Sequence, residues 1–369
     1  MQALAANADW ALAFPVGQAV QHVKARHLWE RLLRASYAHG EPGVLFIDRI
    51  NRLNNLWYRE RISATNPCGE VPLPPYGACD LGSINLTRLI RDPFTGQARL
   101  DSDRLLEIVP DAVRLLDEVI DVSRFPLSRQ RLVARQTRRI GLGITGLADA
   151  LVMLGLRYDS AGATGFAADT LRTICHAAYR ASIALAAEKG AFPAFDRDRY
   201  LAGPFVAALP DDIRDGIARD GIRNSHLTAI APAGTISLLA GDVSSGIEPI
   251  FSPEQRRTVL DRNGRPQNFH LTDHAVSLWR RQTGNADGVP PATVTAAELS
   301  IAAHLDMQAA VQPYVDNAIS KTIHILSECD FAEFADVYQR AYDMGLKGCT
   351  TFRPTATTAA VLHASHQRS

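Results

Sequence analysis

Cysteine is scarce: five residues in 369, at positions 68, 79, 175, 329 and 349. Thiols so few and so spread exclude a disulfide framework, and a reducing cytoplasm is the expected compartment. An excess of one charge is also missing, with 39 Lys plus Arg against 39 Asp plus Glu. That excludes a chain built mainly to coat nucleic acid or an anionic membrane. No uninterrupted apolar run approaches the roughly 18 residues a membrane-spanning helix needs. The opening MQALAANADWALAFP has no basic stretch and carries Asp9 within its apolar part, so a secretory signal is not expected. What is present is ordinary globular composition, 46% hydrophobic and 21% charged, which excludes disorder as the main state. The length fits two or three domains or one large α/β barrel.

Periodicity predicts helices over 1–40, 101–122, 164–189, 296–312 and 331–344. Asp101 is placed to cap the second, and Pro110 inside it predicts a kink or a join. Gly190 ends the third. Short apolar runs at Val44–Ile47 and His226–Ala231 read as buried strands. Residues 51–80, rich in Asn, Pro and Gly, and 285–296 read as loops, the latter exposed. Short strands alternating with helices indicate an α/β fold.

The densest chemistry lies in TNPCGEVPLPPYGACDLGSINL, residues 65–86. Asn66, Cys68 and Glu70 alternate, so an extended chain would project all three to one side. A thiol between an amide and a carboxylate can place a reactive sulfur beside a general base. Cys79 follows a Pro-rich turn that could fold it back towards Cys68. The plainer alternative is a surface loop with incidental cysteines. Zinc is not expected, because no CxxC or HxxxH lies nearby. Pro232, Ala233, Gly234, Thr235, Ile236 and Ser237 spell PAGTIS after the second apolar run. This reads as a loop offering backbone N–H groups to an anion, or as a plain strand-to-helix turn. Gly141, Gly143 and Gly146 match G-x-G-x-x-G, but the arginine-rich, helix-like stretch before them argues against a dinucleotide site. Tight packing of a helix on a barrel accounts for them better. The six arginines of 124–139 read as a solvated helix face rather than a nucleic-acid patch.

NPCGE followed by ACDLGSINL resembles the active-site finger loop of ribonucleotide reductases, most of all the adenosylcobalamin-dependent class. GEPGVLFIDRINR (40–52), RRIGLGITGLADALVMLG (138–155), APAGTISLLAGDVSSGIEPIF (231–251), YVDNAISKTIHI (314–325) and AYDMGLKGCTTFRP (341–354) resemble further family segments, in the family's order. The resemblance implies part of a ten-stranded α/β barrel over 1–354, with a central finger loop at 65–80, a phosphate loop at 232–237 and a frayed tail at 355–369. It implies that Cys68 carries the thiyl radical that takes hydrogen from C3′ of a ribonucleotide. Glu70 would take the 3′-hydroxyl proton, and Asn66 would hold the substrate hydroxyls. Cys79 would be half of the dithiol that becomes a disulfide, and Pro232–Ser237 would bind substrate phosphate.

The implied product is a 2′-deoxyribonucleotide for DNA synthesis, with a thioredoxin-type reductant as partner. Adenosylcobalamin is the implied cofactor. Cys349, Thr350, Thr351 and Phe352 stand about where radical-importing relatives carry paired tyrosines, and the Cys68-to-Cys79 spacing matches the cobalamin class. No D-x-H-x-x-G motif is present, so a protein histidine on cobalt is not expected. Ala233 replaces a common Thr and Asp80 a common Asn. The family's early barrel strands, the second cysteine of the reducing pair and the C-terminal cysteine pair have no counterpart here. A piece of a split reductase working with an N-terminal chain or as a homodimer, a truncated frame and a decayed copy all stay open. The rival functions are the large subunit of a diferric-tyrosyl reductase and an inactive nucleotide-binding paralogue.

Overall fold

The computed structural model describes residues 1–13, 19–354 and 362–364. At its centre is a row of short, mainly parallel strands. Asp80–Asn85 lies parallel to Ile140–Thr145, with Asp80 opposite Ile140. The N–H groups of Ile140 and Leu142 donate onward to the carbonyls of His226 and Leu227. Ile230 N–H then donates to Ala318, and Ser320 N–H returns to Ile230. Thr322–His324 pairs in parallel with Thr350–Phe352, and Val44–Leu45 ends the row, antiparallel to Gly348–Cys349. Parallel neighbours require crossovers, and helices supply them. Every residue of Ile140–Thr145 is buried, as both-faced packing of a central parallel strand demands.

The helix Ser102–Val122 starts where expected, with the Asp101 carboxylate accepting from Arg104 N–H at 3.0 Å. Leu105, Val109, Val113, Leu116 and Ile120 form its buried stripe. Pro110 does not divide it into two elements. Its ring is exposed, and the carbonyl it leaves without a partner belongs to exposed Leu106, where water can serve. The stripe packs on Ala161–Lys189, whose buried alanines permit close approach. Ser160 caps that helix and Gly190, at φ +83°, ends it. A second core joins Leu33, Phe46, Ile323, Phe334, Tyr338 and Leu346 around the helix Phe331–Asp343.

Several expectations fail. Residues 1–40 are not one helix: Gln2–Ala5 is a single turn, Asp9–Ala13 and Ala19–Lys24 form an antiparallel hairpin, and only Ala25–His39 is a full helix. Pro15 and Gly17, both poor in a helix interior, were the signal. The strand at 44 stops at Leu45, and Ile47 already opens a helix. His226–Ala231 is extended and bonded on both sides, but through isolated bridges rather than a full ladder. The helix expected at 296–312 is a short 3₁₀ turn at Ala296–Glu298 followed by Ile301–Val311. In the loop before it, Pro290, Ala292 and Val294 alternate into the core. Within the tail read as frayed, Leu362–Ala364 is a strand on Gln255–Arg257. The rest of 355–369 lies outside the described residues. Among the described residues no helix is long and apolar enough to cross a membrane.

Candidate active site

The finger is a tight hairpin. Ala64–Thr65 pairs with Pro72–Leu73, and the chain between them turns back on itself. Asn66 organises the turn: its carbonyl accepts from Gly69 N–H at 3.2 Å, and its Oδ1 accepts from Val71 N–H at 3.0 Å and from the Thr65 hydroxyl at 3.2 Å. Gly69, at φ +86°, makes the reversal. The three residues therefore do not project to one side of an extended strand. Cys68 is exposed at the tip, Asn66 is half-buried, and Glu70 is buried with only 2% of its surface exposed.

Two contacts fix the finger to the body. Ala318 N–H donates to the Glu70 carbonyl at 2.9 Å, and Arg139 Nη1 donates to the Pro72 carbonyl at 3.2 Å. Arg139 is buried, ion-paired to Glu60, and donates to Asn317 Oδ1 at 3.4 Å. Arg138 is buried against Asp117 and Asp121. The solvated-face reading thus holds for Arg124, Arg129, Arg131 and Arg135 and fails for the last two. Asn317 in turn donates to the Ile140 and Thr228 carbonyls, so the finger is tied to the strand register.

Glu70 Oε2 is buried with no hydrogen-bond partner. Partial burial, and after it the charge of Glu70, pushes the Cys68 thiol above its usual range. Burial drives the half-buried Cys79 further up, against the opposing pull of the Arg139 charge, and Glu70 adds to the rise. The carboxylate therefore lies within electrostatic reach of both sulfurs. Burial also raises the carboxyl of Asp80. Gly141 explains itself here: a Cβ on it would come within 2.6 Å of Leu81 Cδ2, 2.7 Å of Ala229 Cβ and 3.5 Å of Cys79 Sγ. A Cβ on Gly143 would overlap the Ala229 carbonyl. These two glycines let neighbouring strand segments approach, which corrects the expectation of helix-on-barrel packing. Gly146 is at φ +74°.

Cys68 opens onto a cavity of about 1190 Å³. Gly234 and Ser237 of the expected phosphate loop line it, and so do Ser245, Glu248, Arg257, His324 and Thr350–Phe352. The loop turns at Ala233, which holds φ +54°, and Gly234–Leu239 is helical. Ser237 is buried, its hydroxyl donating to the Gly234 carbonyl at 2.8 Å. Pro232 and Ala233 are half-buried, while Thr235 and Ile236 are exposed; none of these four lines the cavity, nor do Asn66, Glu70 and Cys79. Cys175 is buried in the main core, and Cys329 and Cys349 in the second.

Some residues at and behind the cavity wall escaped sequence reading. Lys321 is wholly buried, donating to Glu248 Oε2 at 2.7 Å, and the Thr322 N–H donates to Glu248 Oε1 at 2.6 Å. Arg257 faces the cavity two residues after Gln255, the one-sided period of a strand, which was the available signal. The cavity meets the parallel pair Thr322–His324 and Gly348–Phe352, the latter at its carboxyl end, Thr350–Phe352, the end at which ligands of open α/β sheets bind.

The profile of the ribonucleotide reductase barrel domain matches residues 11–352. The chain belongs to the ribonucleotide reductase family. It is 41% identical over 365 residues to a vitamin B12-dependent ribonucleoside-diphosphate reductase of Mycobacterium tuberculosis, covering 94% of this chain and 49% of that one. A protein of the same name from Thermoplasma acidophilum is 37% identical, with 94% and 44% covered. The ribonucleoside-diphosphate reductase large subunit of Arabidopsis thaliana is 28% identical, with 94% and 48% covered. The chain spans about half the length of the curated relatives it matches. As a reductase barrel domain, its α/β architecture is the one the sequence implied.

Proposed function

We propose that this chain carries the catalytic finger of an adenosylcobalamin-dependent reductase that converts ribonucleotides to 2′-deoxyribonucleotides. The observation that carries the reading is the orphaned Glu70 Oε2, buried within electrostatic reach of two thiols, on a finger whose tip enters a nucleotide-sized cavity. A buried carboxylate oxygen without a donor costs stability unless a ligand completes it. A ribose hydroxyl supplies that donor.

The residues present fit the cofactor. Cys68 is exposed, and the cavity wall around it leaves the sulfur open to a bulky group. When bound, adenosylcobalamin would supply the acceptor for the hydrogen atom, electron and proton together, that the Cys68 thiol must lose to become a thiyl radical. The sulfur radical then takes the hydrogen atom from C3′ and becomes a thiol again. Glu70 accepts the 3′-hydroxyl proton as the 2′-hydroxyl leaves as water, a contribution typically worth ~10²–10⁴-fold. The Asn66 amide NH₂, left open by a turn that uses only its oxygen, donates to the substrate hydroxyls. Cys79 and a second thiol give two electrons and two protons to the sugar and end as a disulfide. Cys68 then returns the hydrogen atom to C3′. A thioredoxin-type dithiol restores the pair. Pro232–Ser237 receives the substrate phosphate, with backbone donors doing most of the holding.

The test is deoxyribonucleotide formation with adenosylcobalamin and a dithiol reductant. Cys68→Ser is expected to abolish product and leave nucleotide binding within twofold. Full turnover by that variant overturns the assignment.

A further inference from the structure

The cavity presents an electrostatic difficulty. Its walls carry four carboxylates, Glu41, Asp242, Glu248 and Asp273, and among the described residues a single Arg or Lys, Arg257. Such a lining should repel a nucleotide. The structure removes most of the repulsion. Glu248 is neutralised by buried Lys321. Asp273 is buried beside Asp149, and burial together with that neighbour raises its carboxyl well above the usual range. Asp242 is raised by burial, against the opposing pull of the Gln255 hydrogen bond at 3.0 Å and of the Arg257 charge. Glu41 lies exposed at the rim.

Among the described residues no ion pair or side-chain hydrogen bond engages the Arg257 guanidinium; the carboxylate within its electrostatic reach is Asp242, which already accepts from Gln255. Arg257 is half-buried on the strand Glu254–Leu260, whose neighbour Gln255 is committed to Asp242 and whose Glu254 is committed to Arg280. An arginine at a cavity wall with no carboxylate hydrogen-bonded to it presents a guanidinium suited to a phosphate.

We propose that Arg257 binds the terminal phosphate of a ribonucleoside diphosphate in this cavity and so sets the preference for diphosphate over monophosphate. The inference rests on the reading of the cavity as a ribonucleotide site. It adds a residue outside the PAGTIS loop, supplied by a different strand. The division of labour is physical: the loop offers neutral backbone donors, and Arg257 offers the one guanidinium on the cavity wall, with no carboxylate hydrogen-bonded to it among the described residues.

Calorimetric titration of the full chain with inorganic phosphate, inorganic pyrophosphate, ADP and hydroxocobalamin tests it. Pyrophosphate is expected to bind more tightly than phosphate. Arg257→Gln should weaken pyrophosphate and ADP by about tenfold or more, as loss of a charge-assisted phosphate contact requires, and change phosphate by less than twofold. Arg257→Lys should recover part of the loss, being a point charge without the fork. The thermal midpoint of each variant verifies folding. Pyrophosphate affinity within twofold of wild type in folded Arg257→Gln overturns the proposal and leaves the ribonucleotide reading standing. Loss of hydroxocobalamin binding with pyrophosphate binding unchanged also overturns it, assigning the charge to the cofactor's phosphodiester. Failure of the wild-type chain to bind any of the phosphates overturns the ribonucleotide reading and the proposal together.

Discussion

Arg139→Met should unfold the chain far more easily than a surface arginine change. Arg139 and Glu60 have side chains only 3% and 8% exposed. With the guanidinium gone, Glu60 keeps a single weak donor, Asn54 Nδ2 at 3.2 Å. Stranding a buried charge costs about 3–5 kcal/mol. The Pro72 carbonyl also loses its donor, adding about 1 kcal/mol. The expected loss is therefore ~4–6 kcal/mol, a large part of the ~5–15 kcal/mol that holds a domain together. The double variant Arg139→Met/Glu60→Leu removes both charges and leaves the Pro72 carbonyl, Asn317 Oδ1 and Asn54 Nδ2 without these partners. It should lose about 2–3 kcal/mol, less than Arg139→Met alone. Urea unfolding of the four proteins of this cycle, followed by far-ultraviolet circular dichroism, measures the coupling. A single-variant loss under ~1 kcal/mol, or a double variant no more stable than Arg139→Met, would refute the buried-pair account.

Glu70→Gln removes the negative charge that helps to raise the Cys68 thiol. Iodoacetamide should then alkylate Cys68 faster near neutral pH, with its rate profile moved to lower pH; an unmoved profile places the carboxylate out of reach. Gly143→Ala drives a methyl group into the Ala229 carbonyl and should cost about 1–3 kcal/mol or more in urea unfolding, whereas Gly165→Ala, with nothing near its Cβ and an interior helical position, should be neutral or stabilising by up to ~1 kcal/mol. Asp101→Ala removes the cap on Arg104 N–H and should lose about 1 kcal/mol, visible as a lowered melting temperature.

What the sequence made legible was local. The Asp101 cap, the Gly190 stop and the order of the family-like segments each needed only neighbours in the chain. The finger was legible as a motif, but its shape was not. Alternation placed Asn66, Cys68 and Glu70 on one side, whereas an Asn-centred turn with Gly69 at positive φ buries the carboxylate and exposes the thiol. The buried charges were hidden for a different reason. Arg139 meets Glu60 and Asn317, and Lys321 meets Glu248, across long stretches of chain. No windowed pattern distinguishes an arginine bound for the interior from one bound for solvent. The glycines of 141–146 show the same limit: their match to a nucleotide fingerprint is shared composition, and the cause is the nearness of Ala229 for Gly141 and Gly143 and a positive φ for Gly146.

The finger's two anchorages have a consequence for how this protein can change over time. Pro72 is held by Arg139 just before the central strand, Glu70 is held by Ala318 of another segment, and Cys68 emerges at the cavity. The hairpin thus works as a ruler whose markings are residues. One added residue lengthens the chain by about 3.3 Å, a whole atomic contact too far for the hydrogen transfer proposed for Cys68. Substitutions in the solvent-facing part of the loop are open to drift, while its length is not. Lineages of this chain should vary in the letters between Thr65 and Pro72 far more readily than in their number.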